Sequence, residues 1–253
     1  MDEGWTRWVF ENFPFYGPGN VCLRKHSSIG NNSIRNSIGG EIHAIIFPDQ
    51  SAGQILNGYP KGTMPDEYTG GVGKEGVENL KKFVEAGGTL VFLNRSSQFA
   101  IEQFNLPVKD VTRGLARKDF YIPGSILRTE LDTMHPIAKG MPQQSIAWFE
   151  NSPAFEIQGQ TGDMRQETGE KTRSPVSGLS SAVPGIRVIA TYPKDPKTIL
   201  LSGWALGAEK IAGKAALVEF TIGKGKIILF GFRPQYRGQS LATFPLLFNA
   251  ISQ

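Results

Sequence analysis

The sequence predicts an α/β fold with a parallel inner sheet, and three stretches carry that prediction. Ile42–Phe47 (IHAIIF) is a short apolar run closed by Pro48-Asp49-Gln50. Val77, Leu80, Phe83 and Val84 fall at helical spacing between Lys74 and Ala86, and Gly87 follows where a left-handed C-cap is wanted. Thr89–Leu93 (TLVFL) is apolar along nearly its whole length, as a strand covered on both faces must be. Strand, helix and strand joined this way form a crossover with parallel strands. Ligands of such sheets bind beyond the carboxyl ends of the strands, which here are Asp49-Gln50 and Asn94-Arg95-Ser96-Ser97.

Taken in order, residues 2–13 read as a helix: Asp2 and Glu3 suit its positive end, Trp5, Trp8 and Val9 share a face, and Phe13-Pro14 stops it. A doubly wound domain ordinarily opens on a buried strand, so this start leaves a slot unfilled. Residues 15–40, rich in Gly, Asn and Ser, read as irregular. The loop 57–73 ends in Gly70-Gly71-Val72-Gly73-Lys74. It departs from phosphate-loop spacing at Glu75 and Tyr68, and a plain loop explains it better. Ser96 or Ser97 is suited to cap a helix whose Phe99, Ala100, Gln103 and Phe104 face the sheet. Gly124–Leu131 alternates like an exposed-edge strand, and Ile146–Phe149 and Ala154–Ile157 read as short strands. The polar stretch 158–185 reads as a flexible insert. An all-strand set follows: Arg187–Thr191, Thr198–Ser202, Ala215–Ile222 and Lys226–Phe232, the last two joined by the hairpin signal Gly223-Lys224-Gly225. Ile227–Phe232 is apolar enough to be central. Thr243 is placed to cap a final helix with Phe244, Leu247, Phe248 and Ile251 on its buried face.

At 253 residues the chain has room for a sizeable core, and 40% hydrophobic with 20% charged residues is ordinary for a globular protein. A formal charge of +4, spread among acids, falls short of a nucleic-acid signature. One cysteine, Cys22, excludes an intramolecular disulfide. No segment reaches the roughly 20 apolar residues of a membrane span, and the acidic, amphipathic start does not read as a signal peptide, so a cytoplasmic location is the default expectation.

The strand tips hold no cysteine, histidine or metal-binding cluster. A nucleophile elbow at 94–97 would need small flanking residues, whereas Ser96 is flanked by Arg95 and Ser97, so helix capping is favoured over nucleophilic chemistry. His26, His43 and His135 show no ligand spacing; His43 reads as a sheet residue and His135 as a turn residue before Pro136. Asp49, Asp66-Glu67 and Glu150 could converge as a catalytic carboxylate pair, although surface acids are far commoner. Arg233 and Arg237, flanking Tyr236, could grip an anion, remain solvated, or pair with Asp49. Trp148 and Phe149 read as core. The candidate pocket is therefore Asp49, Gln50, Glu67, Asn94, Arg95, Ser96, Arg233 and Tyr236, with no catalytic residue, metal ligand or cofactor assigned.

Several blocks together carry a resemblance: Met1–Trp8 (MDEGWTRW), Phe47–Ser51 (FPDQS), Gly62–Gly73 (GTMPDEYTGGVG), Gly87–Asn94 (GGTLVFLN), Phe120–Arg128 (FYIPGSILR), Trp148–Phe155 (WFENSPAF) and Leu201–Ile251. They resemble the C-terminal domain of large bacterial zinc carboxypeptidases of the carboxypeptidase A-like class. The resemblance implies a flavodoxin-like, class I glutamine amidotransferase-like fold without its catalytic cysteine, with helices on both faces of the sheet and a C-terminal antiparallel extension. It covers most of residues 1–14 and 41–253, as a single domain. Relatives carry a zinc-binding peptidase domain upstream, which implies that domain, or a second copy of this chain, as partner, with export of the full-length relatives. This chain departs from the pattern in starting at the MDEGW block, after the family's first strand, and in residues 15–40. An N-terminally truncated domain is thus expected, with residues 1–40 loosely packed where the first strand is missing. The runner-up function is a small hydrolase using a strand-tip serine or carboxylate.

Overall fold

A computed structural model describes residues 2–13, 42–66, 69–158 and 185–252. Its ten strands join in one sheet: β1 (Ala44–Phe47), β2 (Thr89–Leu93), β3 (Val108–Asp110), β4 (Pro123–Leu131), β5 (Gln144–Glu150), β6 (Phe155–Ile157), β7 (Ile186–Thr191), β8 (Leu200–Ser202), β9 (Ala215–Ile222) and β10 (Gly225–Phe230). The main path runs β1-β2-β10-β9-β7-β4-β5. β1 and β10 both lie parallel to β2, while β9, β7, β4 and β5 continue the sheet antiparallel. The layering is that of the flavodoxin-like expectation: parallel strands at one end, helices on both faces, and antiparallel strands supplied mainly by the C-terminal half.

Among the described residues the α-helices are α1 (Asp2–Asn12), α2 (Ala52–Asn57), α3 (Gly73–Glu85), α4 (Ser97–Gln103) and α5 (Phe244–Ile251). Side chains of β2 and β10 alternate between two cores, which is why both strands read as unbroken apolar runs. On one face Val91, Leu93, Ile228 and Phe230 pack with Val9 and Phe10 of α1 and Phe244, Leu247 and Phe248 of α5. On the other, Leu90, Phe92, Ile227 and Leu229 pack with Val77, Leu80, Phe83 and Val84 of α3 and Phe99 of α4. The end of α3 satisfies its last carbonyls with two bonds, Gly87 N–H to Val84 O and Gly88 N–H to Phe83 O, and Gly87 takes φ 119°. That turn feeds the chain directly into β2.

The slot expected to stand unfilled is closed, because β1 and β2 pair directly, Ala44 to Thr89 through Phe47 to Phe92. Consequently α1 docks firmly: Val9 is fully buried and Phe10 meets Phe248 edge-to-face at 4.9 Å. β4 is interior, with β5 on one side and β7 and β8 on the other; its alternation records partial cover on one face, not an edge. Helix α2, capped by Ser51, fills the stretch between the β1 tip and the loop 57–73, to which the sequence assigns no element; its six residues are too short for a periodic signal. Finally, neither Ser96, Ser97 nor Thr243 makes a side-chain cap. The Thr243 hydroxyl donates to Pro234 O and Ser240 O. Cys22, His26 and the loosely packed segment expected beyond residue 13 lie outside the described residues, as does nearly all of the insert at 158–185.

The two described histidines differ in placement. His43 lies exposed just before β1, its carbonyl accepting from Thr89 N–H. His135 Nδ1 accepts the Ile137 N–H, and its Nε2 lies 3.5 Å from Glu219 Oε1 on the inner strand β9. Burial acts to raise the Glu219 pKa, but His135 and Lys226 outweigh it and hold the carboxyl below its ordinary value. A folded-state pKa below the unfolded one contributes stability that is present above about pH 4.5, the ordinary value for glutamate, and lost as pH falls through the folded value. Glu219→Gln is therefore expected to flatten the acid limb of the stability profile, measured by urea unfolding between neutral pH and pH 3. An unchanged limb would remove Glu219 as its source.

Candidate functional site

The carboxyl ends of β1, β2 and β10 lie side by side, and two serines close them. Ser96 Oγ donates to the last carbonyls of β1 and β2, Phe47 O (2.9 Å) and Leu93 O (2.8 Å). Ser97 Oγ donates to the last carbonyl of β10, Phe230 O (3.2 Å). Both serines are buried. A strand end inside a protein leaves carbonyls that need donors, and these hydroxyls supply them, the single Ser96 hydrogen being shared between Phe47 O and Leu93 O. Their hydrogens point into the backbone, with no basic side chain bonded to either oxygen among the described residues. The sequence points to the right residues with the wrong partner, because capping is a local rule and the bonds to Phe47 O and Phe230 O reach strands distant in sequence.

At the turn itself stands Asn94, buried, with φ 57°. Left-handed backbone at a strand-to-helix turn disfavours most side chains, and asparagine tolerates it better than others. Its Nδ2 donates to Asp49 Oδ1 at 3.0 Å, while its own Oδ1 has no hydrogen-bond partner among the described residues.

Asp49 is the hub. Its side chain is 3% exposed and receives the Arg95 N–H (3.1 Å), Arg95 Nε (2.9 Å), Arg95 Nη2 (2.8 Å) and Arg233 Nη2 (2.5 Å). Burial would raise its pKa, but the Arg95 hydrogen bonds and the Arg233 charge more than offset this and hold it below the ordinary carboxylate range. In turn, the Arg95 guanidinium is held above its ordinary value by the same bond. Arg233 spreads its charge further, donating Nη1 to Glu150 Oε2 at 2.8 Å, with Nε 3.5 Å from Asp2 Oδ2. Desolvation raises the Asp2 pKa despite Arg233. The strand end before Arg233 passes close to the neighbouring loop: a Cβ on Gly231 would stand 2.6 Å from Pro153 O, which is why glycine precedes Phe232 here.

Tyr236 stacks on Trp148 (centroids 4.1 Å apart, planes 18° apart), with Arg233 and Arg237 at 5.9 and 5.3 Å from its ring. Trp148 is thus half-exposed in a stacked pair, whereas Phe149 is fully buried core. Gln235, fully buried, donates Nε2 to Thr6 Oγ1 at 3.0 Å and ties α1 to this corner.

Of the eight residues expected at the pocket, Asp49, Asn94, Arg95, Arg233 and Tyr236 come together, with Ser96 beneath them. Gln50 is exposed and bonds to none of them among the described contacts, and Glu67 lies outside the described residues. The pairing of Arg233 with Asp49 is the one of its three open readings that holds. Locally Asp2 is no more than a favourable charge at a helix start, with no sign in the neighbouring residues that it meets Arg233. Among the described residues no group of three or more His, Cys, Asp or Glu side chains could hold a metal ion, and no helix is long and apolar enough to cross a membrane. Beside Arg95 opens a cleft of about 390 Å³, bounded by the start of α2, by α4 and by the loops around Asp110–Arg113 and Asn151–Pro153.

No family model matches the chain, and no curated protein matches it. Among solved structures it is similar to a protein from Bacteroides uniformis described as ThuA-like, at 15% identity and a TM-score of 0.49 over 98% of this chain and 81% of that one. A cytoplasmic protein from Salmonella typhimurium shares 14% identity at a TM-score of 0.48, over 88% and 74% of the two chains. A Thermoplasma acidophilum protein described as part of a GMP synthase shares 11% at 0.37, over 70% and 63%. None of the three descriptions mentions a carboxypeptidase, and likeness at this level assigns the chain to no family.

Proposed function

We propose that this chain is a non-catalytic, amidotransferase-like accessory domain that works beside a zinc carboxypeptidase domain, packing against it or presenting substrate to it. The association rests on the sequence blocks set out above. The non-catalytic part is supported by the turn at Asn94: where an amidotransferase would hold its thiol, an asparagine amide donates to a buried aspartate that two arginines already neutralise. Ser96 and Ser97, the nucleophiles a hydrolase would need there, spend their hydroxyl hydrogens on strand carbonyls. Asp49 is held ionised by two guanidinium groups, which leaves it a poor general base.

The purified chain is expected to release neither ammonia from glutamine nor the C-terminal residue from peptides. Turnover of either kind, lost in Asp49→Asn, would overturn the non-catalytic reading. Co-expression with a zinc carboxypeptidase domain encoded immediately upstream should yield one co-eluting species on gel filtration. Independent elution of the two would end the association.

A further inference from the structure

The cleft beside Arg95 is lined by two arginines and two acids, Arg95, Arg113, Glu102 and Asp110. Their formal charges cancel, but their hydrogen-bonding capacity does not. Asp110 Oδ1 already accepts from Thr112 N–H (2.9 Å), Thr112 Oγ1 (2.8 Å) and Ala154 N–H (3.3 Å). Glu102 Oε1 accepts from Gln98 Nε2 (2.8 Å) and Arg113 Nη1 (2.9 Å). Each acid thus spends one oxygen, Asp110 Oδ1 and Glu102 Oε1, on donors of the protein itself.

The arginines are differently placed. Arg95 spends Nε and Nη2 on Asp49, which leaves Nη1 without a hydrogen bond among the described residues. Arg113 spends Nη1 on Glu102, which leaves Nε and Nη2 in the same condition. Each guanidinium is oriented from behind by a carboxylate and has donors to spare. The Asp49 charge is moreover shared with Arg233, so Arg95 is only partly neutralised. Two guanidinium groups on one cleft, each with N–H groups to spare, supply the donors that a carboxylate or phosphate oxyanion takes.

We propose that this cleft binds a small anionic ligand through a carboxylate or phosphate group held between Arg95 and Arg113. This does not depend on the carboxypeptidase association. Arg113 is 62% exposed and its pair with Glu102 is a surface pair, worth little to stability, so Arg113→Gln will fold. The test titrates the whole chain calorimetrically with sodium phosphate and with sodium succinate at fixed ionic strength, using sodium chloride as the blank. Saturable binding of at least one is expected, weakened roughly tenfold or more in Arg113→Gln and unchanged in Arg117→Gln, which lies outside the cleft lining. A response to phosphate alone identifies a phosphate ligand, to succinate alone a carboxylate ligand, and to both the shared oxyanion chemistry. Heat no greater than that of chloride with either salt, or binding undiminished in both Arg113→Gln and Arg95→Lys, would overturn the proposal.

Discussion

Asp49→Asn is expected to destabilise the chain by about 2–3 kcal/mol, read from urea unfolding at neutral pH. Removing one partner of a buried charge pair costs roughly 3–5 kcal/mol, because the remaining charge is left uncompensated. Arg233 is largely buried, but the Arg95 side chain is 50% exposed and water replaces part of its loss, so the lower figure applies. The pH dependence adds a second signature. Asp49 has a folded-state pKa below its ordinary 3.8, so its contribution is fully present above that value and disappears as pH falls through the folded pKa. The gap between the native chain and Asp49→Asn should accordingly be flat near neutrality and close in acid. A constant gap at all pH values would mean that shape, and not charge, holds the corner together.

Phe92→Ala is expected to cost about 3–5 kcal/mol by the same measurement, the range for emptying a fully buried aromatic site. Phe92 is 0% exposed, stacked on Phe47 with centroids 4.5 Å apart and planes 11° apart, and lies 6.1 Å from Phe99. These rings belong to β1, β2 and α4, so the cavity would open under the turn that presents Asn94 and Arg95. Loss of stability should therefore come with weakened anion binding in the cleft, whereas Glu219→Gln, on β9 and paired with Ile228 of the opposite core, should leave binding intact. A loss below about 1.5 kcal/mol, within the range of well-tolerated swaps, would show that the neighbouring rings collapse into the space.

How much of this was legible in the residues follows from the range of the forces involved. Helix α3, strands β2, β9 and β10 and the hairpin between the last two were readable because period, apolar runs and turn glycines are short-range properties. The serine bonds were not, since Ser97 reaches Phe230 across 133 positions and no local pattern marks the pair. Likewise, β4 looked like an edge because alternation reports cover on one face and is blind to hydrogen-bonded neighbours in the plane of the sheet.

What the sequence determined by itself was the α/β class, the position of the parallel strand ends, and the absence of a thiol there; each depends only on residue type and spacing. What the tertiary structure alone decided was that β1 and β2 pair without a gap, and that Asp49 gathers two arginines while Arg233 gathers three carboxylates. Charges meet through folding because a buried carboxylate must find its counter-charge wherever the strands bring one, and that partner lies 184 positions away.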